Sequence, residues 1–347
     1  MRTLSKFGLL GVALAVLGGA FLVGENAKPT GTAMADSAKT FLGLLDADQK
    51  KIAAFDYDSE HRTTWFFTPQ QDKDKQPLRK GLRLEKMNEK QKAAVLELLK
   101  VGLSAKGFSQ ASTIMDLENL LAELEGKGGA MTRNPTWYFV SIFGEPSNTG
   151  KWGWRVEGHH LSINFTLDKG QVVSATPVVF GSNPAEIKAG PNKGKRTLPE
   201  IEDLAKELIG GLKEDQVKAA KVAKQLPEIA EKQPNAGVGA PPGIPATKLS
   251  DEQSKLLMKL IQAYADRLPS QLAEQEMKRA TDAGLGKIYF AYCIEDDKPG
   301  KPWTYRIQGP TFAIEFLNTQ ADAAKNPANH IHSGWRTLPN DFALPVK

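Results

Sequence analysis

The chain contains one stretch of its own sequence twice. The segment WGWRVEGHHLSINF at 152–165 recurs as WTYRIQGPTFAIEF at 303–316, which is 151 residues further on. Five of the fourteen aligned positions are identical, where unrelated sequences share about one by composition. A repeat constrains the fold because both copies are expected to form the same strands and turns and to bury the same positions.

Two further pairs of segments extend the repeat toward the N-terminus. Residues 38–49 resemble 205–216 at an offset of 167, and residues 81–99 resemble 243–261 at an offset of 162. The three blocks keep the same order in both copies while the offset shrinks gradually. This pattern indicates a tandem duplication followed by small deletions.

The duplication predicts two halves, residues 36–195 and 196–347, each with helices first and strands after them. Helical periodicity predicts helices over 40–55, 88–103, 116–125, 201–222, 249–268 and 271–283. Residues rich in β-branched and aromatic side chains predict strands over 136–143, 152–167, 171–180, 287–294, 305–317 and 330–336. The predicted fold class is therefore α+β, with an antiparallel β-meander in each copy and the copies packed about a pseudo-twofold axis. The proline-rich segment, residues 226–247, is predicted to be a loop inserted in the second copy.

Residues 1–35 have the features of a secretory leader. Two basic residues precede an apolar run over residues 7–23, and Ala33-Met34-Ala35 forms a small-x-small cleavage site. The alternative is an uncleaved N-terminal anchor, because the run is 17 residues long, the short limit for a membrane span. Either way we expect the functional part to be extracytoplasmic, in the periplasm or secreted.

Charge and cysteine content exclude several classes of function. The leader holds three basic residues and one acidic residue, so its removal lowers the formal net charge from +5 to +3. This charge is too weak to indicate nucleic-acid binding. No later segment is apolar enough to suggest membrane contact beyond the possible anchor. Cys293 is the one cysteine of the chain, so an intrachain disulfide and a thiolate metal cluster are both excluded. The remaining expected partner is a small-molecule ligand or substrate.

Four of the five histidines occur as two pairs, at places that are not equivalent in the repeat. His159 and His160 lie in the first copy, where the second copy has Pro-Thr. His330 and His332 lie near the end of the second copy, two residues apart, so a strand would present both rings on one side. A His-x-His pair on a strand is a common way to present two imidazoles to one metal ion. The fifth, His61, lies in a charged stretch and is predicted to be at the solvated surface.

Strand alternation predicts which side chains meet. If residues 152–167 form one strand, His160 and Asn164 lie on its polar face, and His159 joins the apolar face. Glu315 lies on the corresponding polar face of the second copy. Arg155 and Arg306 are equivalent in the repeat, which favours structural pairing with carboxylates of their own half.

These observations predict a site between the two halves. Its metal ligands would be drawn from His159, His160, His330 and His332, with Glu315 as a further ligand or general base. The pocket around them is predicted to include Arg155, Glu157, Asn164, Arg306 and Arg336. A nitrogen- and oxygen-rich donor set suits a divalent transition metal, namely zinc, copper or iron. The alternatives are a metal-free pocket for a small polar or anionic ligand, or structural histidines in a protein of the cell envelope.

Several motifs together resemble a family known as domain of unknown function 3500. They are GEPS at 144–147, GHH at 158–160, IEF at 314–316, HIHSGWR at 330–336 and NDF at 340–342. The resemblance covers the chain from about residue 38 to the C-terminus. It implies that Gly158 to His160, Glu315, His330, His332 and Arg336 belong to the family signature. Leu317 stands where the family has Asp, so a role for that carboxylate does not transfer, and the resemblance implies no activity.

The sequence thus predicts an exported metal-binding protein. A metal-dependent hydrolase is the enzyme class that fits, because a metal ion with an open position can activate water as a nucleophile. Whether the protein is an enzyme at all is left open by the sequence.

Overall fold

The computed structural model describes residues 28–295 and 300–345, and in these residues it contains eight α-helices and twelve β-strands. The helices are α1 (Thr30–Gly43), α2 (Ala47–Ala53), α3 (Glu89–Gly102), α4 (Ala105–Glu125), α5 (Pro199–Gly210), α6 (Glu214–Ala220), α7 (Asp251–Ala265) and α8 (Ser270–Asp282). The strands are β1 (Ala54–Phe55), β2 (Leu82–Arg83), β3 (Phe139–Phe143), β4 (Lys151–Gly158), β5 (Leu161–Asp168), β6 (Gln171–Ser174), β7 (Val178–Ser182), β8 (Ile244–Pro245), β9 (Tyr289–Ile294), β10 (Trp303–Gln308), β11 (Phe312–Asn318) and β12 (Ile331–Thr337). The predicted α+β class is confirmed.

Helix boundaries follow local capping chemistry. Asp46 caps α2, and its carboxylate accepts hydrogen bonds from the backbone N–H groups of Asp48 and Gln49. Because this cap starts a new helix, the predicted helix over 40–55 is in fact divided between α1 and α2. The predicted helix over 201–222 is likewise divided between α5 and α6. Ser250 and Gln253 form a capping box at the start of α7.

All twelve strands belong to one sheet. Its order is β1-β3-β4-β5-β7-β12-β11-β10-β9-β8, with β2 also paired to β3 and β6 to β5. The short β1 pairs parallel with β3, and the other strand pairs are antiparallel. The antiparallel pair β7·β12 stands in the middle of the sheet and joins the strands of the first half of the chain to those of the second.

The two faces of the sheet have different surroundings. On β4, Trp154 and Val156 point to the face covered by the helices and belong to the main apolar core. Arg155 and Glu157 alternate with them, so they point to the opposite face. There, irregular segments cover a layer of buried polar side chains and a smaller apolar cluster that contains Phe67.

The predicted strand over 152–167 is wrong in one respect that matters for the site. The structure divides it into β4 and β5, which pair from Lys151 opposite Asp168 to Gly158 opposite Leu161. The chain therefore reverses at His159 and His160, which form a two-residue turn. The predicted strand over 305–317 is divided in the same way, into β10 and β11.

The predicted leader lies mostly outside the described residues, but its last part does not. Met34 and Ala35, which belong to the predicted cleavage site, are 0% and 1% exposed in α1. Cleavage after Ala35 would thus remove the first six residues of a helix that is packed in the core. None of the helices in the described ranges is long and apolar enough to span a bilayer.

Candidate metal site

His160 is placed by the turn between β4 and β5. Its φ of +62° lies in the left-handed region, which residues other than glycine rarely adopt. Two backbone hydrogen bonds hold it there: its N–H donates to the Phe67 carbonyl at 2.8 Å, and its carbonyl accepts from the N–H of Gly181 at 2.7 Å. The turn directs the His160 ring over the end of β7.

Gly181 makes room for this ring. A Cβ at residue 181 would lie 2.9 Å from Cδ2 of His160 and 2.8 Å from the Ile331 carbonyl oxygen. Real Cβ atoms do not approach backbone oxygens this closely, so only glycine fits between the turn and β12. Gly181 also stands opposite His332 in the register of β7 and β12.

His330 and His332 come from the start of β12. His332 stands between Gly181 on β7 and Leu317 on β11. His330 is the residue before the strand, and its backbone N–H donates to the Asn318 side-chain oxygen at 3.0 Å. The strand thereby presents both imidazoles beside His160.

The three rings converge through their Nε2 atoms. Nε2 of His330 lies 2.7 Å from Nε2 of His160 and 3.1 Å from Nε2 of His332. One nitrogen from each ring falls within a group no more than 4.8 Å across, and these three histidines could hold a metal ion. Among the described residues, no other set of three or more histidine, cysteine or acidic side chains comes together in this way.

Burial keeps two of these imidazoles neutral. Burial, with repulsion from His332, His159 and Arg133 acting in the same direction, lowers the pKa of His330 to about 2. Burial, followed by repulsion from His159, His330 and His332, holds the pKa of His160 well below its ordinary value. Neutral imidazoles keep a lone pair on one nitrogen, as metal ligands must.

Two further side chains contact the outer nitrogens of the cluster. Oε2 of Glu228 lies 2.7 Å from Nδ1 of His332, and the Asn183 side-chain nitrogen lies 3.4 Å from Nδ1 of His330. Burial by itself raises the pKa of Glu228, but the interaction with His332 and the hydrogen bond from the Ile229 backbone N–H together outweigh burial, so the pKa of Glu228 is lowered. Glu228 belongs to the proline-rich segment, to which the sequence assigned no role at the site.

The profile of one protein family, described as a protein of unknown function (DUF3500), matches residues 27–344, nearly the whole chain. The protein belongs to the DUF3500 family. No curated protein and no solved structure has significant similarity to the chain. Membership agrees with the resemblance carried by the sequence motifs and assigns no activity.

His159, which the sequence predicted as a metal ligand, lies beside the cluster but outside it. Its ring stacks on His160 with 3.7 Å between centroids, while its Nδ1 contacts Oε1 of Glu118 at 2.5 Å and Nη1 of Arg133 at 3.2 Å. Burial lowers the pKa of His159, partly offset by Glu118. The adjoining cavity, of ≈20 Å³, has room for about one water molecule.

Glu315, which the sequence predicted as a ligand or general base, makes a different interaction. Its Oε1 accepts a hydrogen bond from Nη2 of Arg306 at 2.7 Å, directly across the β10·β11 pair. It is not among the side chains that converge with the histidines. Burial raises the pKa of Glu315, and Arg306 opposes this rise. The predicted role of Glu315 as ligand or base therefore has no support in the geometry; the carboxylates at the histidines are those of Glu228 and Glu118.

The other predicted pocket residues join the sheet to the segments that cover it. Arg155 donates to the backbone carbonyls of His61 and Thr64, and lies 3.4 Å from Glu157. Arg336 likewise forms an ion pair with a buried carboxylate, that of Asp341. The Glu157 carboxylate accepts a hydrogen bond from the backbone N–H of Phe66. The Asn164 side-chain amide donates to the backbone carbonyl of Pro177. The prediction that Arg155 and Arg306 pair with carboxylates of their own half is confirmed.

The histidine that the sequence assigned to the surface is buried. His61 is 6% exposed and contacts Arg155 and the Ser141 hydroxyl. The prediction of a solvated surface position was wrong because the short turn of residues 60–62 directs the His61 ring against β3, while its acidic neighbours Asp58 and Glu60 stay exposed.

Proposed function

We propose that this protein binds a divalent transition metal ion through Nε2 of His160, His330 and His332. The observation that carries the proposal is the convergence of these three atoms, two of the separations being 2.7 and 3.1 Å. Nitrogens that bind one tetrahedral zinc ion at about 2.0–2.1 Å are roughly 3.3 Å apart, so a small opening of the cluster would accommodate the ion. His160 and His332 are buried and His330 is half-buried.

The donor set indicates the class of metal. Three imidazole nitrogens without a thiolate suit zinc, copper or iron, and three protein nitrogens with a position left over are typical of catalytic zinc sites. A water in that position would have a lowered pKa and could act as a nucleophile. We therefore propose metal-dependent hydrolysis as the activity to test first.

A non-catalytic binding module is the second candidate. The Arg133 guanidinium, 3.2 Å from His159, supplies positive charge beside the cluster, as a site for a small polar or anionic ligand would need. This candidate predicts ligand binding that survives removal of metal by a chelator, whereas hydrolysis at a metal-bound water does not.

Zinc titration of the chelator-treated protein, produced without a histidine tag, tests the proposal. We expect one zinc ion per chain for the wild type and at least about a 100-fold loss of affinity when His330 and His332 are both replaced by alanine, because two of three ligands are lost. The matched control is His61→Gln, a buried histidine outside the cluster, which should bind zinc like the wild type. Equal zinc binding by the double variant and the wild type would contradict the proposal.

We also propose that the fold is a tandem duplication with a pseudo-twofold axis between β7 and β12. The sheet order reads outward from this pair as β5-β4-β3 on one side and β11-β10-β9 on the other. Supporting contacts repeat as well: the side-chain amides of Gln49 and Gln91 bind each other, as do those of Gln216 and Gln253. Superposition of the two halves in an experimental structure tests this part.

Export is the proposed localisation. N-terminal sequencing of the protein from the extracytoplasmic fraction tests it and also locates the cleavage. A start at Asp36 would support the site predicted at Ala35, whereas a start before Thr30 would keep α1 whole. An intact N-terminus on membrane-bound protein would support the anchor.

A further inference from the structure

The proline-rich segment lies against the polar face of the sheet and is fixed there at several points. The indole N–H of Trp65 and a guanidinium N–H of Arg336 both donate to the Gln233 carbonyl, at 2.9 and 3.1 Å. Glu231 accepts hydrogen bonds from the backbone N–H groups of Phe67 and Thr68. A loop that served only as a connection would not need this number of specific contacts.

These contacts bring Glu228 to the histidine cluster. The next residue, Ile229, is 2% exposed and packs in the small apolar cluster with Phe67 and Leu317. Phe67 also packs edge-on against the His332 ring, with 5.1 Å between centroids. The segment therefore approaches His332 with a buried residue beside the carboxylate, so the position of Glu228 is set by packing.

The contact between Glu228 and His332 determines which ring nitrogen carries hydrogen. An ionised carboxylate can only accept hydrogen bonds, so Nδ1 of His332, 2.7 Å from Oε2, must be the donor. In the neutral ring this leaves the lone pair on Nε2, the atom that faces His330. Carboxylates that accept from the outer nitrogen of a ligating histidine fix its tautomer and orientation and raise its basicity.

We infer that Glu228 is a positioning residue for the metal ligand His332, which makes the proline-rich segment a part of the metal site. The inference rests on the proposed metal binding. It adds a supporting carboxylate to the site, and this carboxylate comes from a segment 104 residues before His332 in the chain. It assigns to the segment the task of holding one ligand in its metal-binding tautomer.

Cobalt(II) titration followed by visible absorption tests the inference, because the cobalt bands report both affinity and coordination. The variants are Glu228→Gln, which keeps an acceptor oxygen but loses the charge, and Glu228→Ala, which loses both. We expect Kd to rise from wild type to Glu228→Gln to Glu228→Ala, with a total loss of about 10- to 100-fold and altered cobalt bands. The Glu228 side chain is 42% exposed, so both metal-free variants should fold and melt like the wild type.

Glu231→Gln is the matched control, because it makes the same change three residues away in a carboxylate that contacts Phe67 and Thr68 instead of a histidine. We expect its cobalt affinity to stay within about threefold of the wild type, since no ligand contact is lost. Unchanged affinity and bands in Glu228→Ala would overturn the inference while leaving the metal site intact. An equal loss in Glu231→Gln would also overturn it, since anchoring of the segment and not the Glu228 contact would then be responsible. If the wild type takes up no cobalt, the proposed function fails and the inference with it.

Discussion

Each histidine of the cluster is held by contacts of its ring or its backbone. His160 is held by its turn and by the space above Gly181, His332 by Phe67 and Glu228, and His330 by the side chain of Asn318. Such supports limit ring motion, which is what a preformed metal site requires. The geometry of the site therefore depends on Gly181 and on the side chains that contact the histidines as much as on the histidines themselves.

The buried neutral histidines predict a loss of stability in acid. Burial lowers the pKa of His61 to about 3 from the ordinary 6.5, and Arg155 and Lys80 act in the same direction. Between these values the unfolded chain binds the proton and the folded chain does not, so the free energy of unfolding is greatest above pH 6.5 and falls as the pH drops toward 3. We expect His61 alone to contribute a fall on the order of 4 kcal/mol.

Urea unfolding in chelator at several pH values measures this fall. The variant His61→Gln should show a shallower dependence on pH between 6.5 and 3 than the wild type. Parallel curves for the two proteins would mean that His61 does not stay neutral in the folded state.

At the scale of elements, the strand pairs β4·β5 and β10·β11 each carry one buried arginine and one buried carboxylate. Arg155 and Arg306 are equivalent at the offset of 151, but the carboxylates are not: the first half has Glu157, and the second has Glu315, which is equivalent to Asn164. Each guanidinium therefore has an acidic partner, but the partner comes from a different position of the repeat in each half. This arrangement is what a structural ion pair requires, and it accounts for Glu315 without a role at the metal.

Replacing Glu315 by glutamine therefore tests whether this carboxylate stabilises the fold or binds the metal. We expect Glu315→Gln to lower the free energy of unfolding by about 3 kcal/mol, because it leaves the buried Arg306 guanidinium without its partner. Metal affinity should not change. The control Glu186→Gln removes an exposed pair with Lys188 and should cost less than about 1 kcal/mol. Loss of metal from Glu315→Gln at unchanged stability would restore Glu315 as a ligand.

The sequence was a good guide to elements but missed the two-residue turn that places His160. Helix periodicity and β-branched composition located most helices and strands, but they did not separate β4 from β5, because the GHH motif has neither an Asn-Gly nor an Asp-Gly signal for a two-residue turn. The strand alternation that put His160 on a polar strand face therefore does not apply, because His160 lies in the turn. His160 still meets His330 and His332, because the turn stands at the start of β5, where β5 pairs with β7 and β7 with β12.

Residues around the histidines could not be predicted from spacing. Glu228, Glu118 and Arg133 come from an irregular segment, a helix and a loop, and no periodic pattern relates such positions to a strand end. Their contacts depend on how these segments pack over the sheet. Pairing within one sheet can be anticipated from a repeat, whereas packing between a loop and a sheet cannot.

At the scale of the whole molecule, the cluster needs both halves of the chain. His160 belongs to the first half and His330 and His332 to the second. His160 and His330, whose Nε2 atoms are 2.7 Å apart, are separated by 170 residues in the sequence. They meet only because β7 and β12 pair in the middle of the sheet. A fragment that contained one half would hold at most two of the three histidines, so the site is a property of the complete fold.

The most direct test of this account is the metal content of the protein purified without a histidine tag and without added metal. Elemental analysis should find about one equivalent of a transition metal per chain in the wild type and almost none in the variant with His330 and His332 replaced by alanine. Circular dichroism should show the same fold for both. A wild-type protein that carries no transition metal, and takes up none when zinc, copper or iron is supplied, would contradict the account.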